Sequence, residues 1–200
     1  KSVLLIEKEL KNTNDRTWCF WEEGKGEYDD IVSHSWQNAK FKAKNFKLNF
    51  SFNPFTYKMI KSKDFYSLMQ KKLKPHAQLD QVQEKIIKIN TKLNQVVTDK
   101  NIYKADKIFS SIYSPKILQS QTKFPVLLQH FYGCVIEAKK SCFNKEKIDF
   151  MNFDIPQKNE TRFIYVLPES NNRALIEFTL FSKNLLSDKE YLEEIKKYLN

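Results

Sequence analysis

Glu177 sits inside the run Ala174-Leu175-Ile176-Glu177-Phe178-Thr179-Leu180-Phe181, one carboxylic acid within an otherwise apolar strand pattern. Burial disfavours the charged form, so an acid turned into such surroundings stays protonated and becomes a proton donor. Turned outward, the same residue is an ordinary solvated glutamate. Alternation leaves both orientations open, because Leu175 and Thr179 share its face. A second group is Asp15-Arg16-Thr17-Trp18-Cys19-Phe20-Trp21, whose rings Trp18, Phe20 and Trp21 could line a ligand tunnel. Aromatic faces stabilise positive charge without offering a nucleophile, although a plain aromatic core cluster accounts for them equally well. Third, Ser2 to Glu7 is an apolar run closed by an acid, as a buried parallel strand reads. In dinucleotide-binding folds the second strand ends in such an acid, which hydrogen-bonds the ribose hydroxyls; an ordinary strand-end carboxylate is the alternative.

Other chemistry is poorly represented. Cys19, Cys134 and Cys142 have no metal-ligand spacing and read as reduced thiols, and His34, His76 and His130 are far apart. No metal site is expected. The chain carries a formal charge of +10, yet of its 34 basic residues only Arg16, Arg162 and Arg173 are arginine. The lysines are scattered in a pattern that reflects codon usage. Nucleic-acid binding, which needs clustered charge and planar forks, is therefore not expected. The net charge does suit an anionic membrane surface. The longest apolar stretch, Phe124 to Ile136, is broken by Gln129, His130 and Gly133, so no segment spans a bilayer. Only three glycines occur, Gly24, Gly26 and Gly133. Gly24-Lys25-Gly26 follows no strand and lacks a third glycine, so it is not a pyrophosphate turn.

The elements that must position these groups fall into two textures. Residues 36–60 read as extended, Lys63 to Leu73 as a helix with Phe65, Leu68, Met69 and Leu73 on one face. Lys85–Ile89, Gln95–Thr98, Ile102–Tyr103 and Lys107–Ile112 read as a β-meander. After Pro115 come four longer strands, Phe124–Ala138, Ile148–Ile155, Thr161–Leu167 and Arg173–Phe181. Asp188 to Leu199 closes the chain as an amphipathic helix capped by Ser187 or Asp188, with Tyr191, Ile195 and Leu199 on one stripe. The expected division is residues 1–115 and 116–200.

Five blocks, in order, resemble lycopene β-cyclases of the bacterial type: Asp15–Trp21, Tyr57–Tyr66, Phe124–Gly133, Thr161–Pro168 and Ala174–Ser182. The resemblance implies an α/β flavoprotein fold, a partial FAD-binding Rossmann-like domain (1–115) with an antiparallel or mixed substrate-binding sheet (116–200). The family's glycine turns would lie before the strand ending at Glu7 and after Asn200, which makes the chain an internal piece. The implied activity is that of an isomerase: acid-catalysed, non-redox closure of the ends of lycopene into β-rings with reduced FAD, NAD(P)H being the reductant. Glu177 matches the first acid of the family's E-E-T or E-D-T motif and is the expected catalytic acid. Glu7, Arg16, Lys61 and Ser110 are the expected cofactor contacts. Trp18, Phe20, Trp21, His130 and Tyr165 are the expected substrate contacts. A membrane-held hydrocarbon substrate implies a cytoplasmic protein attached peripherally to the membrane surface.

The sequence departs from that pattern at three places: Phe178 replaces the second acid of the motif, and Asn152 and Asp154 stand where the family has M-D-F-R. A different flavoprotein, such as a geranylgeranyl reductase or an aromatic monooxygenase, is the nearest alternative; a non-enzymatic basic lipid-surface module is another. Without a glycine turn to meet the pyrophosphate, the 200-residue chain is expected to purify without flavin. Visible-range flavin absorbance co-purifying with it would contradict that expectation.

Overall fold

The computed structural model describes residues 2–112, 123–124 and 126–199. Along the chain come β1 (Val3–Glu7), β2 (Thr17–Glu23), β3 (Val32–Trp36), β4 (Asn38–Ala43), β5 (Phe46–Ser51) and β6 (Phe55–Lys61). Helix α1 (Ser62–Leu73) follows, then β7 (Leu79–Gln83), β8 (Ile86–Asn90), β9 (Gln95–Thr98) and β10 (Ile102–Lys104). The last part carries β11 (Leu128–Glu137), β12 (Lys147–Asn152), β13 (Thr161–Pro168), β14 (Arg173–Ser182) and helix α2 (Asp188–Leu199). The fold is mixed α/β with several sheets, as expected. Two compact units divide it, residues 1–18 with 60–115, and residues 19–59 with 116–200.

In the first unit β1 and β7 pair in parallel, from Val3 opposite Leu79 to Glu7 opposite Gln83. β8, β9 and β10 form the antiparallel meander. Its expected fourth strand, Lys107–Ile112, does not form. Phe109 there is 96% exposed, so no buried face drives pairing. In α1, Phe65, Leu68, Met69 and Leu73 make the half-buried stripe that their spacing predicts. The helix starts without a side-chain cap; the Ser62 amide donates instead to the Arg16 carbonyl.

The second unit takes in residues 19–59, which the sequence reading had joined to the first. The reason is pairing: β4 runs parallel to β12, and β5 extends the same sheet. The boundary expected at Pro115 lies outside the described residues. The resulting six-stranded sheet has the order β11-β14-β13-β12-β4-β5. Helix α2 covers one face, where Ile164, Val166, Ala174, Ile176, Phe178 and Leu180 pack with Tyr191 and Ile195. Ser187 caps this helix reciprocally, its hydroxyl accepting from the Glu190 amide while the Glu190 carboxylate accepts from the Ser187 amide. Leu199, expected on the buried stripe, is 42% exposed. On the other face a second core, with Trp36, Phe52, Met59, Ile148 and Leu167, draws on the three-stranded sheet β2-β6-β3.

Phe178 is wholly buried under α2, its ring 6.4 Å from that of Tyr191 and beneath the Arg162 guanidinium at 6.0 Å. Removing so large a side chain forfeits its transfer free energy and leaves a cavity. Phe178→Ala should cost about 3–5 kcal/mol, read as a lowered urea midpoint with an unchanged slope.

Candidate active site

β14 is an interior strand, and its alternation sorts the chemistry. Ala174, Ile176, Phe178 and Leu180 point under α2, so Leu175, Glu177, Thr179 and Phe181 point to the opposite face. Glu177 is half-buried there. In register, Tyr165 of β13 lies opposite it on one side and Gly133 of β11 on the other. The Thr179 hydroxyl donates to its Oε1 at 3.1 Å. Among the described residues no cation pairs with it. Burial raises the Glu177 carboxyl above its ordinary value of 4.5, and the Thr179 bond offsets only part of that.

Rings build one wall of this face. Tyr165 lies 5.5 Å from both Phe150 and Phe163. Phe150 in turn meets Tyr57 at 5.9 Å and Trp21 at 5.6 Å, and Trp21 packs on Phe52 at 4.4 Å and on Tyr57 at 4.7 Å. Burial pushes the Tyr165 phenol and the Cys19 thiol each up to about 12, and raises Tyr57 further; the Glu177 charge adds to all three. Every titratable group that feels Glu177 therefore stays neutral and protonated near pH 7. The arrangement is one acid, neutral hydroxyls and ring faces, with no built-in nucleophile.

The sequence-derived substrate residues separate. Tyr165 and Trp21 join this face. Trp18 and Phe20 alternate to the other side of β2: Trp18 packs on Phe65 at 5.3 Å and Tyr66 at 5.9 Å, and Phe20 on Tyr28 at 6.2 Å. His130 lies apart from this face. It is buried on the α2 side, its Nδ1 bonded to the Tyr191 hydroxyl and its Nε2 to Ser182 Oγ at 2.8 Å. Both ring nitrogens are thus used to tie β11 to α2 and to the end of β14, leaving none for a substrate on the far face. Tyr57, Phe150 and Cys19 were not picked out as site residues from the sequence. Tyr57 opens the second family-like block, so the signal was there without a role attached.

The departures also acquire positions. Phe178 faces α2, away from Glu177. Asn152 is buried, donating to the Tyr198 hydroxyl at 3.1 Å and accepting from the Asp154 amide at 3.0 Å. The Asp154 side chain is exposed. The acid missing at position 178 would have lain on the helix side, so its loss removes no carboxylate from the Glu177 face.

In the first unit the expected cofactor contacts partly converge. Glu7 ends β1 with its carboxylate exposed, 4.0 Å from Lys11 Nζ, and Lys11 lies 3.9 Å from Asp15. Asp15 accepts from the Ser62 hydroxyl at 2.8 Å, and Ser62 Oγ accepts from the Arg16 amide at 3.0 Å. Lys61 precedes Ser62 at the α1 cap. Glu7 and Arg16 therefore belong to one string of contacts, and Lys61 adjoins it in sequence, next to Ser62. An exposed carboxylate at the end of a parallel strand with cations beside it is a donor set suited to a ribose and its neighbouring phosphates. Ser110 is not drawn into it; its exposed hydroxyl accepts from the Ile112 amide in its own segment at 3.1 Å. Gly24-Lys25-Gly26 is a closed turn: the Gly24 carbonyl accepts from Lys58 Nζ at 2.8 Å, and a Cβ at Gly26 would overlap the Glu22 carboxylate.

Solved structures share this architecture. A geranylgeranyl bacteriochlorophyll reductase-like protein from Thermoplasma acidophilum superposes with a TM-score of 0.62 at 12% identity, over 98% of this chain and 55% of its own. The tetrameric form of 2-methyl-3-hydroxypyridine-5-carboxylic acid oxygenase gives 0.59 at 14%, over 99% and 58%. A probable FAD-dependent monooxygenase from Pseudomonas aeruginosa gives 0.51 at 9%, over 88% and 53%. The chain thus shares the fold of these proteins, and spans just over half the length of each of them. Among curated proteins no sequence matches it. The profile of the lycopene cyclase protein family matches residues 1–200, and the chain belongs to that family.

Because burial raises the pKa of Glu177, its proton ties stability to pH. As pH rises, the unfolded chain loses this proton first, so the stabilisation present below the ordinary value is lost as pH climbs through the folded one. Gln cannot ionise. The unfolding temperature of Glu177→Gln minus that of the wild type should therefore increase between about pH 4 and about pH 8; a difference that stays flat or falls would contradict the assignment.

Proposed function

We propose that the protein containing this chain is an FAD-dependent lycopene β-cyclase in which Glu177 is the proton donor. The observation that carries this reading is a half-buried acid without a cationic partner among the described residues, on a face walled by aromatic rings. The family membership supplies the substrate class, a linear carotene with unsaturated ends. Glu177, held protonated by burial, gives its proton to the terminal double bond of lycopene. The electron pair of that bond forms the new C–H bond and leaves a tertiary carbocation. Attack by an internal double bond closes the six-membered ring and moves the positive charge onto a ring carbon. Loss of a neighbouring proton then forms the ring double bond. One proton enters and one leaves, so the product is an isomer.

The rings of Tyr165, Phe150, Tyr57 and Trp21 suit the cation, because their negative faces attract charge and cannot trap it. The neutrality of Cys19, Tyr57 and Tyr165 matters for the same reason, since a thiolate or phenolate would capture the cation. Glu7, Arg16 and Lys61 would hold the ribose and phosphate end of FAD. The reduced flavin, when bound, supplies an electron-rich surface near positive charge without net redox change.

The net positive charge favours a peripheral position on an anionic membrane, where such a substrate dissolves. Among the described residues no helix is long and apolar enough to cross a membrane. The test is Glu177→Gln within the complete coding sequence, expressed in lycopene-accumulating cells and read by chromatography of the pigments. Uncyclised lycopene is expected. Normal β-ring formation would sink the assignment, and NAD(P)H consumption in proportion to product would favour a reductase or hydroxylase instead.

A further inference from the structure

Gly133 lies in the interior of β11, directly opposite Glu177. A strand glycine weakens the strand and lacks a side chain to pack, so it commonly marks a backbone need or the close approach of something else. Neither backbone geometry nor crowding asks for it here. Gly24 is the glycine with positive φ, and Gly133 is not among the positive-φ residues. A Cβ built on it meets only Leu175 Cδ1 at 3.4 Å and the Ile176 carbonyl oxygen at 4.0 Å, both ordinary contacts. The remaining reason is what sits over it.

β11 is an edge of the six-stranded sheet among the described residues. On the face of Gly133 its neighbours along the strand are Phe131 and Val135, 61% and 50% exposed. On the other flank of Glu177 stands Tyr165 with its ring contacts, and along β14 stand Leu175 and Thr179. The acid therefore has a ring wall on the β13 side and an apolar notch on the β11 side. Cross-strand Cβ atoms sit about 4.5–5.5 Å apart, so any side chain at position 133 would stand beside the carboxyl where a proton acceptor must come.

We propose that Gly133 is the steric gate of this site: the branched end of a linear polyene hydrocarbon reaches the Glu177 carboxyl over the β11 edge, through the notch that Gly133 leaves between Phe131 and Val135. This rests on Glu177 being the acid. Gly133 is a specificity-determining residue in this account, setting how bulky a chain end can approach. A smooth end passes more easily than a branched one, and each added carbon at position 133 should discriminate against branching first.

Gly133→Ala, Gly133→Val and Glu177→Gln are to be compared in the complete protein, by pigment chromatography in lycopene-accumulating cells and by thermal unfolding of the purified proteins. Gly133→Ala should unfold at the wild-type temperature or above, because it removes a strand glycine without a clash, and should still lower β-ring formation. Gly133→Val should lower it further, by about 100-fold, the loss that follows a displacement of about 1 Å at a reacting centre. Two results would overturn the gate while leaving the acid standing: wild-type cyclisation by a folded Gly133→Val with Glu177→Gln inactive, or a large drop in the unfolding temperature of Gly133→Ala. If Gly133→Val does not fold, full cyclisation by Gly133→Ala overturns it equally. Cyclisation by Glu177→Gln would instead remove the reading of the site itself.

Discussion

The burial of the even-numbered side chains of β14 beneath α2 is the constraint on which the site depends. Ile176, Phe178 and Leu180 are fully buried, with Tyr191 and Ile195 of the helix closing over them. A strand cannot slip by one residue without exchanging its two faces, and a slip here would expose Phe178 and bury Glu177 under the helix. The apolar packing therefore fixes Glu177 on the opposite face. The same register sets its neighbours, Tyr165 on one side and Gly133 on the other.

That geometry explains why an acid is tolerated there. A buried carboxylate without a cation is costly, and burial raises the Glu177 carboxyl above its ordinary value. Arg162 and Arg173 lie close in sequence but are engaged elsewhere: Arg162 under α2 with Glu160 and Glu194, Arg173 at the strand end with Glu169 and Glu137. Cations gather on the helix side and at strand ends, and the Glu177 face keeps rings and neutral hydroxyls. The protein thereby separates its ion pairs from a surface suited to a carbocation.

Much of this was legible in the sequence, for identifiable reasons. β13, β14 and both helices were readable because their apolar periodicity is strong and their ends are marked, as by Ser187 and Glu190. The direction of Glu177 was not, because Leu175 and Thr179 on its own face are as consistent with a half-buried surface as with a solvated one. Only the depth of Phe178 resolves it. The placement of His130 was not legible in its block, because its hydrogen-bond partners Tyr191 and Ser182 are 61 and 52 residues away. The assignment of residues 19–59 likewise depended on long-range pairing of β4 with β12, which no local pattern encodes. Lys107–Ile112 has β-prone residues yet no partner strand. The wall of Tyr57, Phe150 and Trp21 comes from three separate strands, so it exists only once the sheets are assembled.

The central claim is that burial raises the Glu177 carboxyl above the ordinary glutamate range because of where β14 puts it. Infrared difference spectroscopy between the wild type and Glu177→Gln, with the carboxyl carbons isotopically labelled, observes that proton directly. The account predicts a protonated-carboxyl stretch that is absent in the variant and persists to higher pH than the stretches of the exposed acids. A Glu177 that loses its proton together with the exposed acids would contradict it.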